Sequence, residues 1–172
     1  MKVYLDIITN HTADVIAYRE CPTSSCPYRS RAEYPAKAYT PFISRGEEHV
    51  KVPEWLNDTR YYHNRGDSTF EGESAELGDF SGLDDLMTED PRVVRGFLDI
   101  FGEWIDRYRI DGYRIDTARH VNVEFWQQFI PAMKARASAA GVPNFYIFGE
   151  VATTGIDVAR TARYTRVANF PA

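Results

Sequence analysis

The chain has 172 residues, 44% of them hydrophobic and 26% charged. That is ordinary globular composition and excludes a disordered or fibrous protein; the length suits one domain, or one domain carrying a large insertion. Twenty Lys and Arg against 25 Asp and Glu leave a formal net charge of −5, which excludes a general binder of nucleic acid or of anionic membrane, since both demand a basic surface. No apolar run approaches the ~18 residues that cross a bilayer, and Asp6 falls inside any would-be apolar region of a signal peptide.

The first predicted element is a strand over Lys2–Thr9. KVYLDIIT is nearly continuous in apolar residues and carries one carboxylate, the pattern of a strand buried on both faces of a parallel sheet. A strand starting at residue 2 leaves no room for earlier strands, and the closing TARYTRVANFPA has no stop pattern. The chain therefore reads as a piece of a longer protein, with Met1 internal; the natural ends of a small α/β domain are the alternative. From Thr12 to about Leu86 periodicity is lost and Pro, Gly, Ser, Asn and Tyr abound. A loop-dominated stretch of that length is usually a functional insertion. Within it, Cys21 and Cys26 bracket PTSS. They are either a short-loop disulfide, which implies an oxidising compartment such as the periplasm or the exterior, or two reduced thiols. By themselves they do not make a zinc site. The acidic residues Glu71, Glu73, Glu76 and Asp79 are expected on a solvated loop.

A helix comes next. Asp90 can cap it and Pro91 suits its first position. Val93, Val94, Phe97, Leu98, Phe101, Trp104, Ile105 and Tyr108 recur on one stripe. A short strand is predicted over Ile110–Asp116. Asn122 can cap a second helix with the stripe Phe125, Trp126, Phe129, Ile130 and Met133, which Pro131 is expected to kink or interrupt. Trp104, Phe125 and Trp126 are expected in the core. Gly141, Val142 and Pro143 end the helix, and Asn144–Val151 is a third strand. Strand, insertion, helix, strand, helix, strand is the rhythm of an α/β fold with a parallel sheet.

Each predicted strand ends in polar chemistry: Asp6, Asn10 and His11 on the first, Arg114, Asp116, Arg119 and His120 on or after the second, Glu150 on the third. In parallel α/β folds the carboxyl ends of the strands carry the chemistry, because their loops converge on one face. A period of two places Gly112, Arg114 and Asp116 on one face and Tyr113 and Ile115 on the other. Arg114 then lies close to Asp116, and a guanidinium there favours the ionised carboxylate, which suits a nucleophile or an electrostatic stabiliser. Glu150 is flanked by Phe148 and Val151, and an apolar setting raises a carboxyl pKa and fits it to donate a proton. On neighbouring strands the two acids come about 5 Å apart, the geometry of retaining glycoside hydrolysis.

These residues resemble a known family. DIITNH (Asp6–His11), GLDDL (Gly82–Leu86), DGYRIDTARH (Asp111–His120) and FGEV (Phe148–Val151) are similar to signature regions of the α-amylase family of glycoside hydrolases, in the family's order. The resemblance implies an incomplete (β/α)8 TIM barrel: residues 1–11 as barrel strand 3, residues 12–86 as the inserted domain B, and residues 87–172 from barrel helix 3 to just past strand 5. It implies a retaining enzyme acting on starch, maltodextrin or related α-glucosides. A transglycosylase or oligo-α-glucosidase of the same family, or a catalytically silent sugar-binding or scaffold relative, is the alternative. Asp116 matches the catalytic nucleophile, Glu150 the general acid/base and Arg114 the arginine that keeps the nucleophile ionised. His11 and His120 match residues lining the sugar subsites. Asn10, Asp85 and the backbone carbonyl of His120 match a structural calcium site that pins domain B to the barrel, and oxygen ligation suits calcium; Asp84 is the rival of Asp85. No organic cofactor is implied.

The chain also departs from the family. Arg119 stands where a lysine is usual, which alters contacts on the leaving-group side, and the family's third acidic residue has no counterpart before Ala172. Asp6 is expected to be a buried structural acid near the barrel core. With three barrel strands of eight, the chain alone is expected neither to form a stable monomer nor to hydrolyse starch.

Overall fold

The computed structural model describes residues 1–33 and 37–151 with their side chains, and the backbone of Arg166–Asn169. In chain order the elements are β1 (Tyr4–Ile8), β2 (Ile16–Tyr18), β3 (Pro41–Ile43), α1 (Ser74–Leu77), α2 (Pro91–Tyr108), β4 (Gly112–Asp116), α3 (Val123–Ala139), β5 (Tyr146–Val151) and β6 (Arg166–Asn169). They fall into two compact units, Met1–Asn10 with Thr88–Ala172, and His11–Met87. No helix among the described residues is long and apolar enough to cross a membrane.

In the first unit the sheet runs in the order β1-β4-β5-β6, parallel throughout. The helices that connect its strands form where the sequence places their caps. The Asp90 carboxylate accepts the Arg92 N–H at 2.6 Å with Pro91 opening α2, and Asn122 Oδ1 accepts the Phe125 N–H at 2.8 Å to open α3. The two strand faces divide as the period of two requires. Tyr113 and Ile115 are wholly buried with Phe125, Phe129 and Met133 of α3 and Val93 and Ile105 of α2. Burying one such side chain contributes about 1.5–3 kcal/mol. The Tyr113 hydroxyl keeps a partner there, donating to the Phe101 carbonyl at 2.5 Å. At the start of β4, a Cβ on Gly112 would lie 2.0 Å from the Tyr146 carbonyl oxygen, so a residue without one is what lets β5 lie close.

Four expectations are corrected here. First, β1 is not buried on both faces: Ile7 is covered, whereas Tyr4 and Ile8 are each 43% exposed. The helices cover the Tyr113 side of the sheet, and the register pairs Tyr4 with Gly112 and Ile8 with Asp116 on the other side. Second, α3 runs unbroken through Pro131. Pro131 and Gln127, whose carbonyl loses its partner, are both exposed, so the carbonyl is open to solvent while the packed stripe holds the helix. Third, Trp104 and Tyr108 are not core but 43% and 61% exposed. They occupy the last turns of α2 and lie against one another, ring centroids 5.2 Å apart; helical spacing gives the inward face, not how far along it partners extend. Fourth, the sheet has a further strand beyond the three expected, β6, paired with β5. It is a short RVAN segment in the closing stretch that has no stop pattern, most of which lies outside the described residues.

The second unit has little regular structure and many polar contacts. Strands β2 and β3 pair antiparallel, and Cys21 and Cys26 are joined as a disulfide. Lys51 Nζ lies 2.5 Å from Asp84 Oδ2, both side chains buried, and Asp84 also accepts the backbone N–H groups of Val15 and Ile16 at 3.1 and 3.2 Å. The expected solvated acidic loop is only partly solvated. Asp79 is buried and accepts from the Tyr18 hydroxyl at 2.6 Å and the Asp85 N–H at 3.1 Å. Glu73 accepts from the Tyr28 hydroxyl at 2.6 Å and the Arg31 N–H at 2.9 Å. Tyr18, Tyr28 and Arg31 lie more than forty residues away in sequence from the acids they hold, so no local pattern reveals them.

Candidate active site

Three parallel strands bring their charged residues together on the sheet face opposite the helices. The register sets Asp6 beside Arg114, with Phe148 beyond it, and Ile8 beside Asp116. Arg114, at the centre, holds three carboxylates. Its Nη1 donates to Asp6 Oδ1 and Oδ2 at 2.8 and 3.0 Å and to Asp116 Oδ1 at 3.0 Å, and its Nη2 pairs with Glu150 Oε2. The fork of the guanidinium makes this possible, since it offers several N–H donors in one plane. Arg114, Asp116 and Glu150 are partly shielded, each 26–28% exposed at the side chain.

Burial raises the Glu150 carboxyl above its ordinary value, a hydrogen bond with Asp116 raises it further, and the nearby Arg114 charge opposes both. A second carboxyl this close disfavours ionisation of Glu150. The pair can therefore present one acid and one carboxylate at the ends of adjacent strands. Asp6 departs from its expected place. It is paired, but its side chain is 64% exposed rather than buried, because it lies on the face that the helices leave open. Its position on the Arg114 fork was legible as strand periodicity plus register, but register is a property of the paired sheet.

Immediately after β4 the chain turns sharply. Thr117 takes a left-handed conformation, φ 50°, uncommon for a β-branched residue and costly enough to be found chiefly at functional sites. The turn that follows, Ala118–His120, lies against β5, which sets Arg119 and His120 beside the strand that carries Glu150. His11 and Asp85 belong to the second unit, where their backbones form a bridge. His11 is buried and stacks on Phe80, centroids 5.3 Å apart. Asp84 and Asp85 are separated clearly by the structure: Asp84 is engaged by Lys51, while Asp85 Oδ2 meets His63 Nδ1 at 2.5 Å. Neither Lys51 nor His63 stands out in the sequence, where each is one polar residue in a stretch without periodicity.

Among the described residues no group of three or more His, Cys, Asp or Glu side chains is arranged to hold a metal ion. The donors matched to calcium are of another kind: an amide oxygen, a main-chain carbonyl and one carboxylate. Asn10 and Asp85 are each 1% exposed, and hard oxygen donors withdrawn from water suit calcium.

Comparisons with known proteins give the family. The sequence model of the family described as alpha amylase, catalytic domain, matches residues 1–171. An alpha-amylase of Streptomyces lividans is 42% identical over 95% of this chain and 20% of its own length. A cyclomaltodextrinase of Geobacillus thermopakistaniensis is 35% identical over 50% of this chain and 14% of its own. Among solved structures, the alpha-amylase of Geobacillus thermoleovorans complexed with acarbose aligns with a TM-score of 0.57 at 26% identity, covering 88% of this chain and 26% of that one. The chain thus spans about a fifth of the length of the Streptomyces relative. Its parallel sheet with α2 and α3 is part of a (β/α)8 barrel.

Proposed function

Because the chain belongs to the α-amylase family, we propose that it carries the catalytic carboxylates of a retaining glycoside hydrolase acting on α-glucans such as starch and maltodextrin. The observation that supports this most is the convergence of Asp116 and Glu150 on the Arg114 guanidinium at the ends of adjacent parallel strands. In the proposed reaction an Asp116 carboxylate oxygen bonds to the anomeric carbon as the glycosidic C–O bond breaks. Glu150, its carboxyl raised by burial, gives its proton to the departing oxygen. Glu150 then takes a proton from water, the water oxygen bonds to the same carbon, and Asp116 is released. Arg114 fixes one oxygen of Asp116. His11, Arg119 and His120 would line the sugar subsites.

Calcium is the proposed structural ion, held by Asn10, Asp85 and the His120 carbonyl, where it would tie oxygen donors together and stiffen their loops. The Cys21–Cys26 bridge supports an oxidising compartment, periplasmic or extracellular.

The test is made in the complete protein that bears these residues. Asp116→Asn keeps shape and removes the nucleophile, so kcat is expected to fall by orders of magnitude while the protein stays folded. A mechanism-based glucoside is expected to label Asp116; labelling of Glu150 or Asp6 instead would sink the assignment.

A further inference from the structure

Asp85 is gripped from several sides within the second unit. His63 Nδ1 lies 2.5 Å from its Oδ2, and the His63 N–H donates to its main-chain carbonyl at 3.1 Å. Its own N–H donates to Asp79 Oδ1 at 3.1 Å, and Asp79 is held in turn on its other oxygen by the Tyr18 hydroxyl at 2.6 Å. Backbone bridges pair Asp85 with His11 and the next residue, Leu86, with Tyr62. His63, Asp79 and Asp85 are all buried. The main chain of Asp85 is thus fixed by its neighbours, and His63 is a side chain that holds its carboxylate. A carboxylate has two oxygens and about four lone-pair directions, so a ring N–H on Oδ2 does not exhaust its capacity to accept. When Asp85 is ionised, the proton in this contact belongs to Nδ1.

We propose that His63 is a positioning residue for calcium, holding the Asp85 carboxylate in the orientation in which it meets the ion; this rests on the calcium reading above. The physical basis is general. A hydrogen bond to a metal-binding side chain removes rotational freedom before the metal arrives, and loss of such an outer partner typically weakens metal binding about 10- to 100-fold. A histidine that only filled core space would contribute equally with or without the metal.

The experiment titrates calcium chloride into the complete, chelator-stripped protein by calorimetry, with melting measured in chelator and in saturating calcium. His63→Phe keeps an aromatic ring and removes the donor; calcium affinity is expected to fall about 10- to 100-fold, and the melting gap to wild type to widen when calcium is added. His63→Asn puts an amide N–H at the position of Nδ1, the same number of bonds from the backbone, and is expected to keep affinity near wild type. Asp85→Asn reports on the calcium reading itself. Wild-type affinity in His63→Phe with weakened binding in Asp85→Asn would overturn the role of His63 and leave the calcium site standing. A folded His63→Asn that binds as poorly as Asp85→Asn would also overturn it, and this arm decides if His63→Phe does not fold. Wild-type protein that takes up no calcium overturns both.

Discussion

Replacing Lys51 by Met tests whether a buried ion pair holds the second unit together. The side chains of Lys51 and Asp84 are 5% and 2% exposed and 2.5 Å apart. Burial pushes the Asp84 carboxyl up to about 6 and Lys51 below its ordinary value, against their mutual attraction, so the pair persists because each partner compensates the other. Met fills nearly the same space without the charge. It leaves a carboxylate in the interior with no counter-ion, a change that costs about 3–5 kcal/mol when one partner of a buried pair is lost. The backbone N–H groups of Val15 and Ile16 still serve Asp84, which places the cost near the lower end, about 3 kcal/mol. That loss is expected to lower both the Tm and the urea midpoint of the complete protein. Adding Asp84→Asn removes the stranded charge while keeping an acceptor for Val15 and Ile16, so the double variant is expected to recover most of the loss. Thermal and urea denaturation of the complete protein and its two variants measures this. A Lys51→Met melt that overlays wild type, or a double variant no better than the single one, would refute the reasoning.

Three further outcomes are expected. Burial raises the Glu73 carboxyl, but the Arg31 N–H, the Tyr28 hydroxyl and the Arg31 guanidinium outweigh it and hold the group at about 2. Its stabilisation is therefore complete above the unfolded value of 4.5 and is lost as the pH falls towards 2; allowing for screening at this partly exposed site, Glu73→Gln is expected to cost about 1–2 kcal/mol at neutral pH and to flatten the acid limb of the stability profile, read by denaturation at stepped pH. A Cβ at Gly102 would sit 2.0 Å from Arg136 Nη1, displacing a guanidinium that pairs with Asp106 at 2.6 Å. That half-exposed pair is worth about 0.2–1 kcal/mol and alanine gains about 1 kcal/mol over glycine inside a helix, so Gly102→Ala should melt close to wild type, and a loss of several kcal/mol would mean that Arg136 cannot leave. Expressed alone, the 172 residues should release no reducing sugar from starch and show no sharp melt, because the sheet edge at β1 lies open; a soluble, cooperatively melting, amylolytic monomer would contradict this.

Much of the first unit was legible from residue order alone. Caps at Asp90 and Asn122, the apolar stripes of α2 and α3, and the alternation that sends Tyr113 inward and Arg114 and Asp116 outward are local patterns, and local hydrogen bonding and periodicity act over a few residues. The grouping of Arg114, Asp116 and Glu150 was equally legible, because parallel strands align their ends. What only the tertiary structure decided depends on partners distant in sequence. Asp6 reaches Arg114 across 108 positions, Lys51 reaches Asp84 across 33, and His63 reaches Asp85 across 22. Pro131 was tolerated because one face of α3 is packed and Pro131 lies on the exposed face, where the missing N–H leaves no carbonyl buried. Trp104 lay on the apolar stripe yet stayed exposed. Periodicity says which way a side chain points; whether another element stands there to meet it is a matter of how the chain closes on itself.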